Sequence, residues 1–254
     1  MVGAHTHALY RHGDSPVHRV PAHTKIVAAF AFVFAVVATP REAVWVFAAH
    51  AGLLAACATV AGLGVRFVLS RMLIEIPFLV VALTLPFFAS GERVDVLGLS
   101  LSVEGLWDLW NIAAKATLGL LTSIVLAGTT RMTDLLRGFD ALRVPRILTA
   151  IMGFMVRYFD VVVGEVARMR VAMSSRGYTP RWLGHLTPYA RSLGTMFVRS
   201  YERGERVYLA MASRGYTGTM PAAPTEHAGA ATWAIVLALP ATAWLLAVTA
   251  WTVT

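Results

Sequence analysis

Cysteine is nearly missing from this chain: Cys57 is the only one among 254 residues, so no disulfide can form within it. Lysine is almost as scarce. Lys25 and Lys115 are the only two, and neither follows a glycine-rich phosphate loop, which excludes a P-loop nucleotide-hydrolysing engine in this sequence. Charged residues make up 14% of the chain, against about 25% in a typical soluble domain. Nucleophiles, bases and metal ligands do not gather at one depth, as a membrane-embedded enzyme would require. The polar, histidine-rich opening Met1–Lys25 lacks the pattern of a secretory signal.

What is present in excess is apolar surface: 57% hydrophobic residues and a mean hydropathy of +0.64 describe an integral membrane protein. Five stretches approach the roughly 20 residues that cross hydrocarbon as a helix: Ala22–Ala38, Ala43–Leu63, Met72–Phe88, Leu109–Gly128 and Ala230–Val253. The first is the shortest in apolar content, with an uninterrupted core of Ile26–Ala38. Pro77, Pro86 and Pro240 fall inside spans, which a packed bundle tolerates where neighbours satisfy the freed carbonyls.

Charge orients these spans. Between Arg131 and Gly218 lie 14 arginines against six acids, so the whole formal net charge of +8 sits in one block, and eight basic residues balance eight acidic ones elsewhere. The excess of Lys and Arg in cytoplasmic loops places that block inside, puts the N-terminus inside, and turns the acidic loop Glu92–Glu104 outward. Charge also argues against a crossing by Ile147–Val163, since Arg157 and Asp160 near the bilayer centre would each cost about 2.5–3.5 kcal/mol. Arg146–Arg176 reads instead as one long amphipathic helix, with Ile151, Met155, Tyr158, Val162, Val166, Met169 and Met173 forming a stripe at spacings of three and four.

One phrase occurs twice. Ala172-Met173-Ser174-Ser175-Arg176-Gly177-Tyr178-Thr179 returns as Ala210-Met211-Ala212-Ser213-Arg214-Gly215-Tyr216-Thr217, displaced by 38 residues and identical at seven of eight positions. The same offset carries the stripe onto Leu193, Met196, Ser200, Gly204, Val207 and Met211, so a second helix follows in register. Pro180 separates the two and Pro188 sits near the second one's start. Small residues at Ser200 and Gly204 would permit a close crossing of the helices. Gly177 and Gly215 can each adopt the left-handed conformation that ends a helix, leaving Arg176 and Arg214 at two tips. A single Ser-Arg-Gly is ordinary helix-stop chemistry. Two copies in matched register, each closing a long helix in a basic block, point to a device that grips two equivalent sites on a partner.

These features resemble the transmembrane (T) component of energy-coupling-factor (ECF) transporters, and more narrowly the CbiQ-type component of cobalt/nickel importers. The resemblance is carried by Asp14-Ser15-Pro16-Val17-His18-Arg19, Pro21-Ala22-His23-Thr24-Lys25, Thr39-Pro40-Arg41 and Arg199-Ser200-Tyr201-Glu202-Arg203-Gly204, as well as by the tips. It implies that two cytoplasmic coupling helices each end in an Ala-Arg-Gly-like triplet, here Ser175-Arg176-Gly177 and Ser213-Arg214-Gly215, whose arginines dock on two ATP-binding subunits. It further implies a separate substrate-binding membrane (S) subunit, CbiM-like, holding the metal site, with ATP and Mg on the ATPase partners and no cofactor, metal or nucleic acid on this chain. The expected class is therefore an all-α integral membrane protein of the cell inner membrane, with about five transmembrane helices and two long cytoplasmic coupling helices. Residues 1–130 would hold the tail and four spans, 131–218 the coupling domain, and 219–254 the last span. A T component serving a vitamin, or more remotely a polybasic protein on anionic lipid, are the competing readings.

Lesser features have milder expectations. His5, His7, His12, His18 and His23 match no closed metal site. Glu75 lies one turn from Arg71 and should pair with it, while Asp108, Asn111 and Lys115 share a face of their helix. Trp107, Trp110, Trp233, Trp244 and Trp251 resemble interface anchors.

Overall fold

The computed structural model describes residues 10–96, 99–178, 187–218 and 228–253. Thr179, Pro180, His5 and His7 lie outside the described residues. The chain is an all-α membrane protein with one small hairpin, and it divides into two compact units, one of His7–Ala141 with Thr225–Thr254 and the other built on Leu142–Pro224. The first unit contains α1 (Pro16–Arg19), α2 (Ala22–Ala38), α3 (Val44–Val60), α4 (Val65–Met72), a 3₁₀ turn (Leu73–Glu75), α5 (Ile76–Ala82), α6 (Leu85–Phe88), strands β1 (Arg93–Val96) and β2 (Leu99–Ser102), α7 (Val103–Thr129) and α8 (Met132–Ala141). After α9 (Arg146–Ser175) and α10 (Thr187–Ala212) of the second unit, α11 (Ala230–Val253) completes the first.

Four helical stretches, Val65–Phe88, Val103–Thr129, Arg146–Ser175 and Ala230–Thr252, are long and apolar enough to cross a membrane, and Ala22–Ala38 and Val44–Val60 are shorter apolar helices. Length and apolarity alone thus admit α9 as well. It carries Arg157 and Asp160 internally, as α7 carries Lys115 and the stretch Val65–Phe88 carries Arg71 and Glu75.

Two elements differ from the sequence reading. The third span is not one rod: Pro77 and Pro86 each stand in the first turn of a new segment, α5 and α6, because a ring without an N–H starts a helix more readily than it continues one. The acidic stretch before α7 is not an open loop but an antiparallel ladder, with Arg93 opposite Ser102 and Val96 opposite Leu99. Its alternation of apolar and polar residues, Val94-Asp95-Val96 and Leu99-Ser100-Leu101-Ser102, is the period-two signal of a strand. Ser102 then caps α7, accepting from the backbone N–H of Gly105 at 3.4 Å.

A core of Phe32, Ala35, Val36, Phe47, Leu54, Leu118 and Ala243 joins α2, α3, α7 and α11. Fully buried among them is His50, whose Nε2–H donates to the carbonyl of Ala243 at 3.3 Å with the ring of Phe32 edge-on. The charged groups fix the register. Lys25 of α2 donates to the carbonyl of Thr129 at the end of α7 (3.1 Å), and Lys115 of α7 donates to the carbonyl of Val37 in the last turn of α2 (2.9 Å). Each lysine therefore satisfies a carbonyl that the antiparallel neighbour's C-terminus leaves open. Arg41 extends the clasp to Asp108 at 3.0 Å. Its neighbour Glu42 stays ionised: its own backbone amide, and then Arg41, hold the carboxyl below the usual carboxylate range.

Trp244 and Trp251 are not simple interface anchors, for their indole N–H groups donate to the carbonyls of Ala31 and Ala38 on α2. Both steps are one heptad, so α2 and α11 run parallel. An odd number of crossings from the first helix to the last has that consequence. Glu75, buried at 4% exposure, takes a hydrogen bond from Thr117 of α7 at 2.8 Å.

α7 meets α6 with no room to spare. A Cβ on Gly105 would lie 2.6 Å from the Cα of Pro86 and 2.9 Å from the carbonyl oxygen of Leu85, both backbone atoms. Gly105→Ala should lower the thermal midpoint in detergent, with a loss of about 1–3 kcal/mol. Gly119→Ala on the same helix, where nothing lies within 4 Å, is the control and should hold or slightly raise the midpoint, since alanine is the better helix former.

Candidate functional site: two helix tips

The repeated phrase folds the same way twice. Gly177 and Gly215 have φ of +74° and +84°, the left-handed region that a Cβ disfavours. The N–H of Gly177 donates to Ser174 O at 2.9 Å and that of Tyr178 to Met173 O at 3.1 Å. The N–H of Gly215 donates to Ala212 O at 3.0 Å and that of Tyr216 to Met211 O at 3.1 Å. This pair of reversed bonds is the Schellman motif, and it consumes carbonyls that each helix end would otherwise leave bare. Open space surrounds both glycines, so they are required for their backbone angle rather than for clearance.

Neighbouring side chains turn inward. Ser175 Oγ donates back to Val171 O at 2.9 Å and Ser213 Oγ to Ala210 O at 3.0 Å. Met173 with Tyr178, and Met211 with Tyr216, are half-buried. Arg176 and Arg214 remain exposed at the two ends, each at the last position before the glycine. An exposed guanidinium on a rigid turn presents a fixed fork of donors to a carboxylate or a set of carbonyls.

The helices form an antiparallel pair. Tyr178 lies against Tyr189, with ring centroids 5.8 Å apart, and Glu165 accepts from Arg203 at 3.1 Å, so moving back along α9 moves forward along α10. That ion pair joins positions 38 residues apart, the same offset that separates the repeated phrases. Glu165 and Arg203 are thus equivalent places in the repeat, and their meeting marks a local pseudo-two-fold axis. Arg176 lies eleven residues beyond Glu165, and Arg214 eleven beyond Arg203, in opposite directions. At 1.5 Å per residue the tips stand about 33 Å apart.

Most of the expected packing stripe is half-buried: Tyr158, Val162, Val166, Met169 and Met173 on α9, and Met196, Ser200, Val207 and Met211 on α10. Met155, Leu193 and Gly204 are corrections. Met155 is 66% exposed, Ile151 before it is also uncovered, and Leu193 is exposed. No atom lies within 4 Å of a Cβ placed on Gly204, so the helices make no close crossing there. The reason is Arg203, whose half-buried side chain occupies the facing position and holds the backbones apart while reaching Glu165. The period-based stripe missed this pair because it counted apolar residues only. Applying the 38-residue offset to the charges would have found it.

His18 is held by Ser15 and by the carbonyl of Arg11, and His23 lies beside Trp233. Among the described residues no group of three or more His, Cys, Asp and Glu is placed to hold a metal ion.

A bundle of long apolar helices in one unit, with two like-tipped helices in the other, defines a multi-pass membrane component. Residues 13–225 match the model of the CbiQ family, described as cobalt transport protein, and the chain belongs to that family. The family is one of transport components. The chain is similar to a putative fused cobalt transport protein CbiMQ of Methanocorpusculum labreanum, 28% identical over 116 residues that cover 46% of this chain and 19% of the relative. Two uncharacterised proteins of Methanocaldococcus jannaschii are also similar. One is 34% identical over 104 residues (39% of this chain, 37% of the relative), the other 24% over 163 residues (59% and 54%). The chain thus spans between about a fifth and about a half of the length of these curated relatives.

Proposed function

We propose that this chain is the energy-coupling membrane subunit of an ECF-type importer for cobalt or nickel, taking motion from two ATP-binding subunits and passing it to a separate substrate-binding membrane subunit. The observation that carries this is the pair of arginine tips, capped by the same bonds and set symmetrically about Glu165–Arg203. Two equivalent tips about 33 Å apart suit two equivalent grooves, one on each subunit of an ATPase pair. A closing motion of that pair would draw the tips, and a paired hairpin would carry the displacement as one body.

ATP and Mg belong to the partners on this reading, and Arg176 and Arg214 contribute binding rather than chemistry. The name of the fused relative joins CbiM to CbiQ, which supports a CbiM-like subunit beside this chain. Cobalt is favoured over a vitamin by the description of the family. The positive block implies that the tips face the cytoplasm, with the spans in the plasma membrane and the N-terminus inside.

The test is purification of the wild-type chain from its native membranes in mild detergent, with mass spectrometry of what accompanies it. Recovery of an ATP-binding subunit and a second membrane protein, and cobalt uptake that depends on all of them, is the expected result. Purification under conditions that preserve membrane complexes, with no ATPase recovered, would overturn the reading.

A further inference from the structure

The first unit contains a cavity of about 670 Å³ that opens at the end of the bundle carrying Arg19 and Lys25. Its walls are about two turns each of α2 (Lys25–Phe32), α7 (Thr122–Thr129) and α11 (Thr232–Leu239), with Leu54, Cys57 and Val60 of α3. Two turns reach about 10 Å into a hydrocarbon core of about 30 Å. Small side chains, Ala28, Ala29 and Cys57, hollow the wall, and what remains is almost wholly apolar.

Its rim has the opposite character. Arg19, in the last turn of α1, is exposed, and its guanidinium has no ion pair or hydrogen bond among the described residues. Lys25 adds a second positive charge, and the groups it donates to are neutral oxygens: Thr129 O, Thr130 Oγ1 and His18 O, at 3.1–3.4 Å. Among the described residues no carboxylate lines the cavity. Asp134, the acid whose charge reaches Lys25, is itself paired with Arg137. An apolar slot one-third of a bilayer deep, bordered at its mouth by two cations, is complementary to a molecule with an anionic head and an apolar tail.

We propose that this cavity is a binding site for an anionic phospholipid, whose headgroup phosphate meets Arg19 within the field of Lys25 while an acyl chain passes between α2, α3, α7 and α11 toward Phe32. The site belongs to the membrane unit and does not rest on the tips. Bound lipid would fill space between the helices that carry the core, so occupancy would tie the packing of the bundle to the composition of one leaflet.

Cys57 makes the site measurable, because the chain's only thiol lies in the cavity wall. The full chain is placed in nanodiscs of phosphatidylcholine with or without phosphatidylglycerol, and alkylation of Cys57 by a membrane-permeant maleimide is followed. Phosphatidylglycerol should slow alkylation several-fold, and Arg19→Gln should abolish the difference between the lipids. Ala29→Phe, which fills the slot with protein, should give slow alkylation in both. Equal rates for the wild type in the two lipids would overturn the proposal. So would a lipid effect of full size in Arg19→Gln, or protection of Cys57 only by a co-purified membrane protein, which would make the cavity a protein-docking groove. Native mass spectrometry of the wild type and Arg19→Gln, counting retained phosphatidylglycerol, checks that the variant is folded and separates lost binding from lost structure.

Discussion

Alanine at both Arg176 and Arg214 should abolish capture of the ATP-binding subunits while leaving the chain folded and inserted. The size of the effect follows from the kind of contact. An arginine that anchors the centre of a small docking patch commonly contributes 2 kcal/mol or more, so losing two removes about 4 kcal/mol, a factor of roughly a thousand in affinity. Either single change should leave a complex held by one tip, weakened and exchanging rapidly, because the second tip otherwise binds at high effective concentration. Stability should hardly change: both side chains are exposed, and the caps are made by backbone atoms that alanine retains. Pull-down of the ATPase against melting temperature in detergent measures the two quantities separately. A double variant that still captured ATPase at wild-type strength would remove the tips from the mechanism. Salt-sensitive retention on anionic vesicles with no ATPase would favour the polybasic alternative.

A second large effect is expected at the centre of the hairpin, where Glu165→Arg should uncouple transport without preventing either tip from docking. The change sets two guanidinium groups at the place of a 3.1 Å ion pair whose side chains are 15% and 33% exposed. Breaking such a pair on one side leaves a poorly solvated charge, with a loss of about 3 kcal/mol or more. The two helices would then splay, and a pull on one tip would no longer be felt at the other. Because Glu165 and Arg203 are equivalent places in the repeat, exchanging them is geometrically neutral. The double variant Glu165→Arg/Arg203→Glu should therefore recover cobalt uptake and hairpin stability. ATPase capture in the single variant, measured with uptake in both, distinguishes this positioning role from docking. No recovery in the exchanged variant would show that the pair is not what aligns the helices.

The helices and their caps were legible in the sequence because each rests on a local rule. Apolar runs locate α2, α3 and α11 to within three residues, α7 starts six residues ahead of its run, and the repeated Gly-Tyr fixes both tips. What escaped were features that depend on a partner distant along the chain. Pro77 and Pro86 are visible as prolines, but whether a span bends or restarts is settled by the packing of α5 and α6 on α7. Trp244 reads as an anchor until the carbonyl of Ala31 is seen within reach. His50 gave no sequence signal, being one polar residue in an apolar run, yet it is fully buried. At the candidate site the docking arginines were legible and the axis between them was not, since Gly204 looked like the natural crossing and its neighbour Arg203 holds that place.

The two lysines of the membrane unit, clasping each other's helix ends, have a mechanical corollary. A slide of α2 along α7 by one turn, about 5.4 Å, would strip both ammonium groups from their carbonyls at once, and a slide along α11 would unhook both indoles together. Shear between these three helices has no low-energy halfway point. They behave as a dovetailed frame that can rotate or tilt whole but cannot be ratcheted. Compliance is left to the segmented stretch Val65–Phe88, whose joints at Pro77 and Pro86 already interrupt the rod.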